Sequence, residues 1–420
     1  MHLPPSAFGA YREDLRRSSP RTALGPADHE WLLAATGLER LAQLPAPERA
    51  TGARRLAAAF QDDGDAGGDR VLAQALETLA TREGSDALLS RSRAICADME
   101  RAGALLLARV TLDAAVVVGA EAGPRERGLA IVQQGRILRT IGEIDEARGR
   151  YEAAIELGTA EAMDEVAARA SIGLGVLART RGNYPEARRR YETGLELATR
   201  AEADEVVGLA HHGLLAVAAA AGELSVALVH GWEAFRHAAG KGGDAEAEAL
   251  FNLAHLCLDA GHSTASLSGN LSALSRTSSP RLRLGAIGGA AEASARLGRV
   301  EVLERMNAAM DGEAHESFPF ETARAWASIA KAYHGIGNAA ASTRAAGRAR
   351  SLAKAGGFFE VMYALDQLRT AAQSSTRSGP ATPAKESHLT DAARDVVRSI
   401  EHLEPAEDGL LITAGRSTGY

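Results

Sequence analysis

Six of the 12 histidines lie between residues 211 and 262, and histidine suits proton transfer and metal binding near neutral pH. They are His211, His212, His230, His237, His255 and His262. The pairs His230/His237 and His255/His262 are each seven residues apart, which on a helix puts both imidazoles near one face but two turns apart. One metal ion would then need ligands from other segments. We therefore expect partly buried or surface-facing histidines and no metal.

Sequence motifs for catalysis and for nucleotide binding are incomplete or confined to the C-terminal tail. Glycine-rich stretches occur at 64–68, 240–243 and 285–289, but Lys241 is followed by Gly242 instead of the Ser or Thr of a phosphate-binding loop. The dipeptide His315-Glu316 lacks the second histidine of a metalloprotease helix, and the G-x-S-x-G pattern of a nucleophile elbow occurs only at 415–419, in the C-terminal tail. The sequence thus predicts neither enzyme activity nor a cofactor, and an enzyme with a cryptic site remains as an alternative.

Charge and composition limit the partners and the compartment. The net charge of -7 and the pI of about 6.0 disfavour non-specific binding to nucleic acid, which requires a basic surface. The two cysteines, Cys96 and Cys257, are far apart and form no disulfide framework. No stretch resembles an export signal or is apolar for long enough to span a bilayer. We expect a cytoplasmic protein.

The elements that must position these side chains are marked by glycines spaced 39, 40, 40, 39, 37 and 39 residues apart. They are Gly103, Gly142, Gly182, Gly222, Gly261, Gly298 and Gly337. Each is followed by a helix-forming stretch, and glycine readily adopts the left-handed conformation that ends a helix. The spacing therefore predicts helical hairpins that bury their apolar faces by stacking on one another.

Within each hairpin, small and aromatic residues recur at fixed offsets. The second repeat carries Ile131, Gly135, Leu138, Gly142, Ala147, Tyr151 and Ala154, and the third carries Leu174, Gly175, Gly182, Ala187, Tyr191 and Gly194. These residues make the chain resemble the tetratricopeptide repeat family, and the resemblance covers residues 85–371. The period near 39 to 40 exceeds the usual one of about 34 and is similar to a variant of bacterial regulatory and signalling proteins. The resemblance implies an all-α, right-handed superhelical solenoid of stacked antiparallel helical hairpins, with about seven repeats plus flanking helices.

Small residues in the second helix mark where the two helices of a hairpin cross, because close approach requires minimal side chains. These are Ala147, Ala187 and Ala227. The pattern then decays: the corresponding later positions are Ser266, Leu303 and Ser342, and the aromatic is replaced by Gly231, Asn270, Asn307 and Ala346. The assignment of the later repeats therefore depends mainly on the glycine spacing.

The resemblance also implies that the first helix of each repeat lines a concave groove. In that register the expected binding residues are Arg93, Arg101, Gln133, Arg136, Arg139, Arg169, Arg179, Asn252 and His255. Guanidinium groups bind carboxylates through two parallel hydrogen bonds, so the arginines predict an acidic segment of a partner as ligand. The alternative is a solvated face on which they pair with nearby Glu and Asp. Further along, the residues expected to continue the groove with mixed charge are Glu248, Phe251, His255, Asp259, Glu292, Arg296, Arg324, Lys331 and His334.

The flanking segments differ in composition from the repeats. Residues 1–27 contain four prolines and are predicted to be irregular, and 28–84 form a helical cap that includes a possible degenerate repeat at Gly64. Residues 372–387 are predicted to be a flexible linker, and 388–420 an amphipathic helix and tail, with Thr390 as N-cap. This helix either packs against the last repeat as a cap, docks in the groove or on a partner, or remains an unattached tail.

The function expected from these observations is a non-catalytic scaffold or adaptor that binds a protein or peptide. The alternative is a ligand-responsive regulatory sensor in which the C-terminal helix reports whether the groove is occupied. Deleting 373–420 separates the two, because an adaptor keeps its affinity and a sensor changes it. The identity of the partner and the oligomeric state do not follow from the residues.

Overall fold

The structure, a computed structural model, describes residues 85–101, 105–241, 244–313, 318–375 and 388–403. Every regular element in these ranges is an α-helix, which confirms the predicted all-α fold for them. The helices are α1 Ser85–Arg101, α2 Leu105–Val118, α3 Pro124–Ile141, α4 Ile144–Ala160, α5 Asp164–Thr180, α6 Tyr184–Arg200, α7 Asp204–Ala220, α8 Leu224–Ala238, α9 Asp244–Asp259, α10 Ser263–Leu274, α11 Pro280–Arg296, α12 Val300–Glu313, α13 Pro319–Gly335, α14 Ala339–Gly356, α15 Phe359–Ser375 and α16 Asp391–Glu401. The predicted N-terminal segments 1–27 and 28–84 lie outside the described residues.

The described helices belong to two compact units, divided between Gly173 and Leu174 inside α5. In unit 1, α3 packs against α4, and α1 packs against both α2 and α3. In unit 2, each helix from α6 to α14 packs against the next one in the chain, and α9, α11 and α13 also pack against one another in succession. Within each unit, therefore, helices that are neighbours in sequence are neighbours in space, as stacked hairpins require.

Periodic glycines end the first helix of each described hairpin in the left-handed backbone region. The φ angles are 96° at Gly142, 76° at Gly182, 75° at Gly222, 93° at Gly261, 68° at Gly298 and 78° at Gly337. At the first of these, Gly142 N–H donates to the Arg139 carbonyl at 3.2 Å and Glu143 N–H donates to the Leu138 carbonyl at 2.9 Å. The last carbonyls of α3 are thus satisfied before α4 begins. Gly103 lies outside the described residues.

An aromatic ring of the second helix fills the space between two glycines of first helices. The ring of Tyr191 on α6 lies so close to Gly175 and Gly213 that a Cβ atom there would be 2.7 Å and 2.5 Å from it. The equivalent set in unit 1 is Tyr151 with Gly135 and Gly173. The side chains of Ala147, Ala187 and Ala227 are fully buried. Small residues therefore let the helices approach closely around each tyrosine.

In the fourth hairpin the large and small residues are exchanged. Gly231 on α8 occupies the position of Tyr191, and Leu215 on α7 occupies that of Gly175. A Cβ at Gly231 would lie 2.6 Å from Leu215 Cδ1 and 2.7 Å from Leu253 Cδ2. The sequence pattern that decays after Ala227 thus keeps its packing, because leucines of the first helices fill the volume that the tyrosine fills earlier.

The C-terminal helix α16 packs against α8 and α10, the second helices of the fourth and fifth hairpins. The expectation that it packs against the last repeat is therefore wrong. The side chain of Thr390 caps the helix by accepting a hydrogen bond from Ala393 N–H at 3.4 Å. Its buried residues are Ala393, Val396, Val397 and Ile400, and Leu389 before it is buried too. Helix α15 ends at Ser375, so residues 372–375 of the predicted linker are helical.

Candidate functional site

The first candidate surface is the face of unit 1 formed by α1, α3 and α5, where the sequence predicts a basic strip. Arg93 on α1 places Nη1 2.9 Å from Glu126 Oε2 on α3. Glu126 also pairs with Arg125 at 3.0 Å, and Arg125 Nη2 lies 2.8 Å from Glu165 Oε2 on α5. Arginines and glutamates therefore alternate from helix to helix across this face.

Glu165 is the acidic centre of this series. Its second partner is Arg169, one turn later on α5, at 3.2 Å. Burial opposes ionisation of Glu165, but hydrogen bonds and charges from Arg125 and Arg169 outweigh it and lower the pKa of this carboxyl. The hydrogen bond to Glu165 in turn raises the pKa of Arg125. These arginines are thus held by internal carboxylates.

Gln133 and Arg136 converge on a second glutamate, Glu100 of α1. The buried Gln133 donates from Nε2 to Glu100 Oε1 at 3.0 Å and to the Arg93 carbonyl at 3.1 Å. Arg136 Nη2 lies 2.8 Å from the same Oε1 atom, and about half of its side chain is exposed. Arg136 therefore combines an internal partner with access to solvent.

The other predicted arginines are placed differently. Arg139 is half-buried beside Tyr151, and burial raises the pKa of this tyrosine while Arg139 opposes the shift. Arg179 is exposed and lies in the part of α5 that belongs to unit 2. The side chain of Arg101 lies outside the described residues. In unit 1 the geometry thus favours the paired-face alternative for Arg93, Arg136 and Arg169, and an acidic ligand there would have to replace glutamates.

The second candidate surface is an open cavity of about 550 Å³ in unit 2, between the first helices α11, α13 and α15. Its walls are mainly apolar, and its rim carries the Glu292–Lys331 ion pair, with Nζ and Oε2 2.6 Å apart. The lining residues are Glu292, Ala327, Ser328, Lys331, His334, Ala364, Leu365, Gln367, Leu368 and Ala371. An apolar recess with a polar rim suits one or two side chains of a bound segment.

Of the residues expected to continue the groove, Glu292, Lys331 and His334 lie together at this cavity. The others do not line it: Glu248, Phe251, Asn252, His255, Asp259, Arg296 and Arg324. Asn252 is half-buried on α9, and the exposed His255 stacks on Phe251 with ring centroids 6.4 Å apart. The contribution of α15 was not predicted, because this helix does not precede any of the seven periodic glycines that set the groove register. Gly357, 20 residues after Gly337, has φ 67° and marks the start of this extra helix.

Three histidines of unit 2 form a cluster at a second open cavity, of about 500 Å³. The Nδ1 atoms of His211 and His230 lie 3.0 Å apart, and His237 stacks on His211 with centroids 6.1 Å apart. His237 also contacts the carboxylate of Asp204, which pairs with Lys241. The cavity is lined by Leu195, Thr199, Glu202, Asp204, Val207, His211 and His237.

Burial disfavours the charged form of His211 and His230. Burial and then the neighbouring His230 lower the pKa of His211 to about 4, and burial and Arg188 lower the pKa of His230. Across the described ranges, no group of three or more His, Cys, Asp or Glu residues is arranged to hold a metal ion. The stability of the helices around this cluster should therefore depend on pH. No helix of the described part of the chain is both long and apolar enough to cross a membrane.

Comparison with known proteins identifies the repeats in one part of the chain. Residues 126–200 match the family model described as tetratricopeptide repeat. No curated protein matches the chain. Among solved structures, the apo form of RapI is 10% identical with a TM-score of 0.47, covering 77% of this chain and 98% of that one. A Rap protein complexed with competence and sporulation factor is 9% identical with a TM-score of 0.47, covering 80% and 99%. BtubC from P. vanneervenii is 13% identical with a TM-score of 0.34, covering 84% and 98%.

Proposed function

We propose that the chain is a non-catalytic scaffold that binds a protein or peptide through the first helices of its hairpins. Support comes from the match of residues 126–200 to the tetratricopeptide repeat model. The observation that carries this proposal is the open cavity among α11, α13 and α15. Repeats of this family are typically non-catalytic, and their stacked helices present extended surfaces to partners.

The chemistry of the cavity indicates how a segment is held. Ala327, Ala364 and Leu368 offer apolar contact, whereas Ser328 and Gln367 offer hydrogen bonds to a peptide backbone. Glu292 is only 14% exposed and Lys331 is 60% exposed, so the lysine is free to turn toward a ligand while the carboxylate stays in place. We therefore propose an apolar side chain in the recess and polar peptide groups at the rim.

The cavity is tested by filling it. Ala364 is exposed and lines the cavity, so Ala364→Trp should occupy the recess without disturbing the core. The matched control is Ala355→Trp, at an exposed position of α14 that does not line the cavity. The probe is a displayed library of random 12-residue peptides, selected on the wild-type chain. Selected peptides should bind Ala364→Trp at least about ten-fold more weakly than the control. Equal affinity for both variants refutes the assignment of the cavity.

For unit 1 we propose more specifically that an acidic segment of a partner binds. Its carboxylates would replace the internal glutamate that now pairs with the exposed Arg136. Support comes from the partial exposure of this arginine and from the planar fork that it presents to carboxylates. A poly-glutamate peptide is the probe, and Arg136→Gln is the variant, with Arg148→Gln, an exposed arginine of the second helix α4, as control. Binding that falls with Arg136→Gln and with added salt supports the proposal. Binding that is equally weak for all three proteins rejects it.

The sensor alternative keeps support from one contact. Helix α16 packs against the second helices of two consecutive hairpins, so its docking affects the angle between these hairpins. A ligand bound to the first helices would affect the same angle, which would couple the two binding events. A sensor requires that selected peptides bind with altered affinity when Val397→Asp detaches α16. Unchanged affinity leaves the passive scaffold as the function.

A further inference from the structure

The outer faces of α8 and α10 lack the charges that cover other second helices. Helix α10 contains no charged residue, whereas α6 contains four arginines and three glutamates. On α8, Val226, Val229 and Trp232 stand where α6 has Glu186, Arg189 and Glu192. A solvated helix face is normally polar. The neutral faces of α8 and α10 are therefore suited to contact with another element.

Helix α16 is that element, and its contacts define a surface of unit 2. Ser268 Oγ of α10 donates to the Leu403 carbonyl at 2.9 Å, and Thr390 N–H donates to Ser225 Oγ of α8 at 3.1 Å. Gly269 permits close approach, because a Cβ atom there would lie 3.3 Å from Ile400 Cγ2. We call the area around Ser225, Ser268 and Gly269 the α8–α10 surface.

The charged side of α16 takes no part in this contact. Arg394 pairs with Asp391 and Arg398 pairs with Asp395, each three residues earlier in the same helix. All four side chains are more than half exposed. Recognition therefore depends on the apolar stripe of α16 and on two backbone groups near its ends. Any helix with such a stripe meets the same requirements.

The docked helix has only 11 residues. An isolated helix of this length is marginal in water, so α16 folds because it docks. Docking must then offset the conformational entropy of ordering the segment, which leaves a small net free energy. The preceding residues 376–387 contain no large apolar side chain that would add to the contact. A helix of this kind exchanges readily with a competitor.

We propose that the α8–α10 surface is a binding site for an amphipathic helix of another protein, and that α16 is its intramolecular occupant. The partner helix carries a stripe of small and β-branched residues at the spacing of Ala393, Val396, Val397 and Ile400. The tether gives α16 a high effective concentration at the surface. The partner therefore binds only when its own affinity and concentration are high enough to displace α16. This site lies on second helices and is independent of the cavity proposed for peptides.

The test uses the full-length chain and a labelled peptide of residues 388–403 as the competing helix. The double variant Val397→Asp/Ile400→Asp detaches the chain's own α16 and leaves the α8–α10 surface intact. Fluorescence anisotropy should show that this variant binds the wild-type peptide at least about ten-fold more tightly than the wild-type chain does. A peptide with aspartate at 397 and 400 should not bind. Hydrogen exchange of residues 391–401 verifies that α16 is detached.

Two further variants show where the peptide binds. Adding Ser268→Arg to the double variant places a charge on the surface at α10, and adding Ser225→Arg places one at α8, where Ser225 Oγ accepts from Thr390 N–H. Each should lower affinity about ten-fold or more. Having both covers the case in which one of them fails to fold. The proposal is overturned if the double variant folds but does not bind the peptide, or if neither surface variant weakens binding. It is also overturned if light scattering shows a wild-type dimer that the double variant dissociates, because the occupant is then a second copy.

Discussion

Helices α6 and α10 hold the same position in their hairpins, yet only α6 presents its outer face to solvent. In the register set by the periodic glycines, Ala187 corresponds to Ser266, Arg189 to Ser268 and Arg190 to Gly269. The inner residues Ala187 and Ser266 are both fully buried. The outer residues differ: the side chain of Arg190 is 39% exposed, whereas its counterpart Gly269 is buried beside Ile400.

The difference shows that the two faces of a second helix obey separate constraints. The inner face is fixed by the crossing of helices within the hairpin, where the residues are buried and closely packed. The outer face is free to be charged unless another element covers it, in which case charge is lost. The charge content of the outer face therefore indicates whether solvent or another element covers it. Each prediction below alters one face of one helix.

The largest effect is expected on the inner face of α6. Ala187→Glu inserts a carboxylate and extra volume into a fully buried position between packed helices. The free energy of unfolding should fall by about 3 to 5 kcal/mol. Urea unfolding followed by circular dichroism measures it.

Thr193→Glu is the control for that substitution, since Thr193 is exposed on the same helix. It should change the free energy of unfolding by no more than about 0.5 kcal/mol. If Ala187→Glu unfolds at the same urea concentration as Thr193→Glu, position 187 is not at the crossing of the helices.

The turns and the crossings of the early hairpins were predictable from the sequence, and much of the remaining packing was not. Glycines recur at the end of each first helix, and buried alanines recur in the second to fourth hairpins, because local backbone geometry and hairpin crossing favour them there. The exchange of Tyr191 for Gly231 is visible in the sequence only as a loss of pattern, since its compensation by Leu215 requires three-dimensional packing. The position of α16 likewise depends on contacts more than a hundred residues apart.

The candidate site was predicted in part for the same reason. The repeat register places Glu292, Lys331 and His334 on first helices, and they share one cavity. The register says nothing about which glutamates pair with Arg93 or Arg136, because such pairs depend on side-chain conformations across neighbouring helices. A signal for the covered surface was present, however: the absence of charge from α10 predicts an element packed on it.

A smaller effect is expected when the outer face of α10 is given the residue of α6. Ser268→Arg should displace α16, because a guanidinium would have to be buried at the site that now binds the Leu403 carbonyl. We expect a loss of about 1 to 2 kcal/mol in unfolding free energy and rapid hydrogen exchange in residues 391–401. The reverse change, Arg189→Ser on α6, should alter stability by no more than about 0.5 kcal/mol. Continued protection of 391–401 in Ser268→Arg contradicts this prediction.

Acid should destabilise the hairpin of α7 and α8, which lies between α6 and α10 in the chain. The pKa of His211 lies near 4 in the folded chain, below its ordinary value of 6.5, so the unfolded chain binds the proton first as pH falls. The stability that comes from neutral His211 is present above pH 6.5 and is lost as pH falls toward 4. Because the imidazole is partly exposed, we expect a loss on the order of 1 kcal/mol.

His211→Gln isolates this contribution from the other charges around the cluster. Those groups are His230, His237, Glu233, Asp204, Lys241, Arg188 and Glu192. The loss of unfolding free energy between about pH 7 and about pH 4.5 should be smaller in the variant than in the wild-type chain. An equal loss in both proteins shows that His211 does not titrate with folding.

The smallest effect is expected from the charges on the outer face of α6. Arg190 Nε lies 2.7 Å from Glu186 Oε1, one turn earlier, and its side chain is 39% exposed. Exposed ion pairs at this spacing stabilise a helix by only about 0.3 to 0.5 kcal/mol, so Arg190→Gln should lower the unfolding free energy by no more than that, and less at high salt. A loss above about 1 kcal/mol that persists in high salt means that Arg190 packs against a neighbouring element. In that event α6, like α10, has a covered outer face, and charge content no longer separates the two helices.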